Sequence, residues 1–186
     1  MRFRGVDVLV GMAYAATAAL GLRRIRAHLA VGATAPAFAL QAAKGGAVET
    51  IELQTALANG PVVLYFYPKS FSSGCTVEAY LFAERAAEFE HLGATLIGVS
   101  GDDIATQRAF SVEECRSAFW VASDPDLHVA TQYDAALVVG FANRTSYVID
   151  RDGTIVESLQ SFEPSAHVER TLQALRRLAP ESSRVS

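Results

Sequence analysis

Apolar and polar positions along this chain cluster, alternate and recur in ways that mark out a succession of short elements. Val62-Val-Leu-Tyr-Phe-Tyr67 is β-branched and aromatic without alternation, as expected of a strand buried on both faces. Ala94 to Ser100 reads as another such strand, and Trp120-Val-Ala-Ser123 as a shorter one. Ala33 to Leu40 alternates instead, with Pro36 disfavouring helix before it, and Val48 to Leu53 alternates again. The Gly45-Gly46 pair between these two runs predicts a hairpin. Helical spacing follows the Val62 run. Ala79, Phe82, Ala86 and Phe89 share one stripe, Glu84, Glu88 and His91 face away, and Gly93 supplies the stop.

Further along, Gly101-Asp102-Asp103 suits the cap and first turn of a helix running through about Cys115. Asp124-Pro125 starts another, which Tyr133 closes. Thr145 to Ile149 and Thr154 to Leu159 predict a hairpin around Asp150-Arg-Asp-Gly153, where glycine supplies positive φ. Glu163-Pro164-Ser165 opens a last amphipathic helix with Val168, Leu172, Leu175 and Leu178 inward, and the tail 180–186 is expected to be disordered. Strands and helices alternating around one central sheet give an α/β architecture.

Composition narrows the function classes. A chain of 186 residues holds one compact domain with its own core, here expected over 31–179. The net charge of −4 comes with no basic stripe interleaved with aromatics, so nucleic acid is not an expected partner. Two cysteines, Cys75 and Cys115, are too few for a disulfide framework and wrongly spaced for zinc. The four histidines His28, His91, His128 and His167 stand singly and read as surface or partly buried side chains, so neither a metal nor a bound cofactor is expected.

The first 30 residues are apolar, then basic. Met1-Arg-Phe-Arg4 and Ala16-Thr-Ala18 loosely fit an export signal, but Asp7 interrupts the apolar run and Arg23-Arg-Ile-Arg26 lies where a signal would have ended. A spanning helix needs about 20 apolar residues, and this run is slightly short. An extension helix lying on the domain or on a membrane surface is the third reading. The balance leans to membrane association through the N-terminus; a membrane-associated or exported protein is therefore expected, with a cytoplasmic one as the alternative.

The densest chemistry lies in Pro68-Lys-Ser-Phe-Ser72-Ser-Gly-Cys75, which sets a thiol between a buried strand and the mouth of a helix. A helix N-terminus favours the thiolate, the reactive form. Taken singly, each residue has a plain structural use: cysteine as a small buried hydrophobe, Ser72 as a helix cap, Pro68 as a strand end, Arg144 as a surface ion-pair partner of Asp150 or Asp134. Their joint occurrence favours chemistry.

The spacing of Pro68, Ser72 and Cys75 resembles the Pro-x-x-x-Thr/Ser-x-x-Cys signature of peroxiredoxins, thiol peroxidases with a thioredoxin-like fold. Arg144-Thr-Ser-Tyr-Val-Ile-Asp150 is similar to the family's second signature, an arginine opening a late strand. Tyr65-Phe-Tyr-Pro-Lys69 and Ser123-Asp-Pro125 also match, in the order and intervals of the branch named after bacterioferritin comigratory protein. The likeness spans roughly Val31 to Leu178.

That resemblance implies a thioredoxin-like fold, a central mixed sheet flanked by helices, and a thiol-dependent reduction of hydrogen peroxide or organic hydroperoxides. Cys75 is then the nucleophile, passing through a sulfenic acid, and Arg144 stabilises its charge and donates to the peroxide oxygens. Ser72 offers a hydroxyl beside the sulfur, Pro68 shields it, and Glu78 matches a position that orients the arginine. Thioredoxin, glutaredoxin or a small thiol is the implied reductant. Many members of the branch carry a resolving cysteine five residues after the nucleophile, but Tyr80 stands there. Either Cys115 resolves, as in some relatives, or one cysteine suffices, and an inert half-buried Cys115 is the plainer reading of its surroundings. A rival from another class is an interaction or chaperone module that kept the thioredoxin scaffold after losing turnover.

Overall fold

The computed structural model describes residues 28–137 and 140–179. The expected N-terminal extension, apart from residues 28–30, and the C-terminal tail lie outside them. β1 (Ala39–Lys44) and β2 (Ala47–Glu52) form the first hairpin, followed by α1 (Leu53–Asn59) and β3 (Val62–Phe66). Next come α2 (Ser73–Glu84), α3 (Ala86–His91), β4 (Thr95–Ser100), α4 (Ile104–Glu113), β5 (Trp120–Ser123) and α5 (His128–Gln132). β6 (Thr145–Ile149), β7 (Ile155–Gln160) and α6 (Pro164–Leu178) complete the chain. The strands make one sheet in the order β2-β1-β5-β4-β3-β6-β7, parallel where β4 meets β3 and β5 and antiparallel elsewhere.

The unalternating apolar run of β3 is explained by its central place. Val62, Leu64 and Phe66 enter one core with α1 and α5, whereas Val63, Tyr65 and Tyr67 enter a second core with α2, α3, α4 and α6. Tyr65 stacks on Phe82 of α2 at 4.5 Å, directly across from Gly98 in the register of β3 and β4. A Cβ at position 98 would lie 2.7 Å from the Tyr65 ring. Gly98→Ala is accordingly expected to cost about 1–3 kcal/mol through overpacking, which for a domain of this size lowers Tm by about 2–12 °C. A thermal unfolding curve matching wild type would refute the close-packing role.

Four expectations need adjustment. The chain is extended from Ala33, but the first strand starts only at Ala39 and runs on to Lys44; Thr34 makes a single bridge with Thr154, and the carbonyl of Pro36 accepts from the Tyr133 hydroxyl at 2.7 Å. The segment from Leu53 becomes helix α1, whose buried Leu53, Ala56 and Leu57 repeat at helical spacing. The long helix expected up to Gly93 is two. At Arg85 the amide bonds the Phe82 carbonyl, an i→i−3 bond that tightens the turn and redirects the chain, and the Phe82 and Phe89 rings meet at 5.7 Å. Finally, α5 begins at His128, with the Asp124 carboxylate reaching forward to accept from the amides of Val129 and Ala130.

Candidate active site

Strand register brings the two signature segments together. β3 and β6 are antiparallel with Phe66 opposite Thr145, so the chain leaving β3 toward Pro68 passes the residue that opens β6, Arg144. The loop then turns through Phe71, whose φ of 63° lies in the left-handed region, and enters α2 with Cys75 in its first turn. Arg144 Nη2 donates to Cys75 Sγ at 3.3 Å, and Nη1 donates to Glu78 Oε2 one helical turn further on. Cys75 is 2% exposed, Arg144 7% and Glu78 0%. Gly74 leaves room for the guanidinium: a Cβ there would lie 3.2 Å from Nη2.

Ser72 precedes the helix without capping it through its side chain. Its hydroxyl donates instead to the Lys69 carbonyl at 2.9 Å and lies within hydrogen-bonding reach of the Cys75 sulfur. Pro68 is buried at the end of β3. Having no N–H, it leaves no orphan donor there.

The loop is fastened from behind by a buried polar cluster. Asp102, just after β4, accepts from the Ser70 amide at 2.7 Å and from the Ser100 hydroxyl at 2.7 Å, and it pairs with the Lys69 ammonium. Gln107 of α4 accepts from the Tyr67 hydroxyl at 2.7 Å and donates to Ser100 Oγ at 2.8 Å. The Phe71 ring packs edge-on against Phe110 at 5.2 Å. Asp102 follows β4 as the loop follows β3, and these parallel neighbours bring the two together. The sequence showed Asp102 only as part of a helix start.

Electrostatics in this pocket oppose one another. Burial pushes the Cys75 thiol up; Arg144 is the strongest influence drawing it down, Glu78 raises it again, and Ser72 and the Lys69 backbone lower it. Burial thus opposes the stabilisation of the thiolate expected from the helix mouth and Arg144. Burial also lifts the Glu78 carboxyl to about 7 against the pull of Arg144.

Of the sequence-predicted residues, the fold places Cys75, Ser72, Glu78 and Arg144 around one point and Pro68 at the foot of the same loop. Arg144 pairs with Glu78, not with Asp150 or Asp134 on the surface. Cys115 lies just past the end of α4, fully buried where half-burial was expected, and burial with neighbouring Glu114 drives its thiol well above the usual range. His167 corrects the reading of the histidines as surface or partly buried. It is 0% exposed on α6, with Nδ1 4.0 Å from Glu78 Oε1. His167, Thr171 and Ala174 recur at helical spacing beside the apolar stripe of α6, a signal that a polar group is turned inward. Among the described residues, no His, Cys, Asp and Glu side chains gather in threes that could hold a metal ion. No described helix is long and apolar enough to cross a membrane.

The model of the AhpC/TSA family matches residues 31–158. The chain belongs to that family. A chloroplastic peroxiredoxin Q from Gentiana triflora is 32% identical over 152 residues, 80% of this chain and 68% of that protein. The crystal structure of the peroxidoxin BcpB from Mycobacterium tuberculosis is 32% identical with a TM-score of 0.74, covering 82% of this chain and all of that one. AhpC from the same organism, 22% identical, covers 82% of this chain and 94% of its own with a TM-score of 0.71, a likeness of fold alone. The order of motifs thus pointed correctly to a bacterioferritin comigratory protein-like peroxiredoxin with a thioredoxin-like fold. Peroxiredoxins are thiol peroxidases, so this protein is an oxidoreductase.

Proposed function

We propose that Cys75 is the peroxidatic nucleophile of this thiol peroxidase and that the protein works with one cysteine. The observation that carries the reading is the guanidinium fork of Arg144, which spans the Cys75 sulfur and the Glu78 carboxylate in a nearly dry pocket. The thiolate attacks one oxygen of hydrogen peroxide or an organic hydroperoxide, the O–O bond breaks, and the leaving oxygen departs protonated as water or an alcohol, giving the sulfenic acid of Cys75. Arg144, already aimed at the sulfur, stabilises charge on both oxygens as it builds. Ser72 gives and accepts a hydrogen bond beside the sulfur, Pro68 walls the pocket, and Glu78 keeps the arginine plane in place.

The sulfenic acid is returned to the thiol by an external reductant: thioredoxin, glutaredoxin or a small thiol forms a mixed disulfide that a second thiol reduces. Cys115 supports this route by its surroundings. It lies fully buried beyond α4, and burial and a carboxylate neighbour hold it as a thiol.

The test is mass spectrometry of protein treated with one equivalent of peroxide. Wild type and Cys115→Ser are both expected to gain one oxygen at Cys75, trappable with dimedone, and both are expected to turn over with a small thiol. An intramolecular Cys75–Cys115 disulfide, about two mass units lighter than the reduced protein, forming as fast as the sulfenate appears, would overturn the one-cysteine cycle.

A further inference from the structure

A single peptide unit joins the buried polar cluster behind the active-site loop to the side chain beside the thiol. It is the trans peptide between Lys69 and Ser70. At its donor end, the Ser70 amide gives its hydrogen to Asp102 Oδ2 at 2.7 Å. At its acceptor end, the Lys69 carbonyl takes the Ser72 hydroxyl at 2.9 Å and the Ser72 amide at 3.3 Å. A trans peptide is planar, so its N–H and C=O point in opposite directions and turn together. Whatever fixes the Ser70 amide therefore also aims the Lys69 carbonyl.

Asp102 is placed to do the fixing. Its side chain is fully buried, with Oδ2 also accepting from the Ser100 hydroxyl at 2.7 Å and Oδ1 pairing with the Lys69 ammonium. A carboxylate only accepts, so it draws the N–H toward itself through a charge-assisted bond and would repel the carbonyl oxygen of a reversed peptide. The effect reaches Ser72. A serine side chain chooses among staggered rotamers, and the bond to the Lys69 carbonyl selects the one that keeps Oγ within hydrogen-bonding reach of the Cys75 sulfur. A carbonyl swung away from Ser72 would release the hydroxyl to the others.

We propose that Asp102 is a positioning residue for peroxide reduction: through the Lys69–Ser70 peptide it aims the Lys69 carbonyl that keeps the Ser72 hydroxyl beside the Cys75 sulfur. The proposal deepens the reading of Cys75 as the nucleophile and rests on it. Asp102 acts through Ser72, by way of the peptide and not by way of its charge, and both parts of that statement have a measurable consequence.

The test is a double-mutant cycle on the rate of Cys75 oxidation by hydrogen peroxide, followed by stopped flow in the full chain, with folding checked by circular dichroism. Ser72→Ala removes the hydroxyl and Asp102→Ala removes the anchor; each is expected to slow oxidation about five- to tenfold, the scale of one hydrogen bond. The double variant is expected to be no slower than Ser72→Ala alone, because Asp102 then has nothing left to act through. Asp102→Asn keeps an oxygen for the Ser70 amide while giving up the charge and the Lys69 pair, and is expected to recover most of the rate. If Asp102→Ala does not fold, Asp102→Ser, whose shorter side chain stops short of the Ser70 amide, replaces it in the cycle.

Additive losses in the double variant would overturn the proposal, since Asp102 would then hold the loop without acting through Ser72. A loss in Asp102→Asn as deep as in Asp102→Ala would overturn it as well, because the ion pair with Lys69 and not the peptide would carry the effect. In both cases peroxide is still consumed, and the reading of Cys75 stands. A wild-type chain that consumes no peroxide would instead sink that reading, and this proposal with it.

Discussion

Cys75→Ser is expected to abolish peroxide consumption, whereas Cys115→Ser keeps the first oxidation close to the wild-type rate. The two thiols share the same apolar cluster and differ in what touches them. Arg144, Ser72 and the Lys69 backbone all draw the Cys75 thiol toward ionisation; Cys115 has only burial and Glu114, which both oppose it. The sign of the pH dependence follows. Because burial holds the Cys75 pKa above its ordinary value, the oxidation rate should climb as pH rises through that pKa and fall toward acid, as the unreactive thiol takes over. Stopped-flow measurement of peroxide loss over a range of pH checks both statements, and equal loss of the oxidation step in the two variants would defeat the assignment of roles.

Arg144→Ala should slow oxidation by about 10²-fold or more, the scale for losing one preorganised donor. Two effects act in the same direction. The strongest influence lowering the Cys75 pKa disappears, so less thiolate is present, and the donor to the peroxide oxygens disappears with it. Glu78 would also lose the partner of its Oε2 oxygen and be left buried without a counter-charge. Arg144→Lys should recover little, since an ammonium cannot span Cys75 Sγ and Glu78 Oε2 as the planar fork does. Full recovery of the rate with lysine would mean that charge alone is sufficient and that the bidentate geometry is irrelevant.

Much of this site was legible because its members are spaced by rules a chain cannot hide. The unalternating Val62–Tyr67 run announces a central strand, and the intervals between Pro68, Ser72 and Cys75 survive as one loop and one helical turn. Glu78 falls one turn beyond Cys75, so a shared helix face is implied by number alone. Asp102 and His167 were missed for the opposite reason. Each reaches the site from an element far along the chain, Asp102 through the parallel pairing of β3 with β4 and His167 through the packing of α6 on α2 and β6, and neither register nor helix docking is written locally. The break at Arg85 escaped because the apolar stripe continues across it, Phe82 and Phe89 both being buried on either side.

Phe71 gives the active-site loop a built-in bias in time. A phenylalanine gains nothing from a left-handed backbone, which costs about 1 kcal/mol or more, and here the cost is borne because Phe110 and the Asp102 cluster hold the loop around it. Any opening of the first turn of α2 would return that strain, and about 1 kcal/mol would enlarge the share of opened molecules about fivefold. With Cys75 only 2% exposed, a reductant as large as a protein would meet the proposed sulfenic acid only in that share. On the proposed chemistry the residue beside Ser72 would set a clock: the more readily the loop springs open, the shorter a sulfenic acid at Cys75 would wait, and the smaller the chance that a second peroxide would carry it on to the irreversible sulfinic acid.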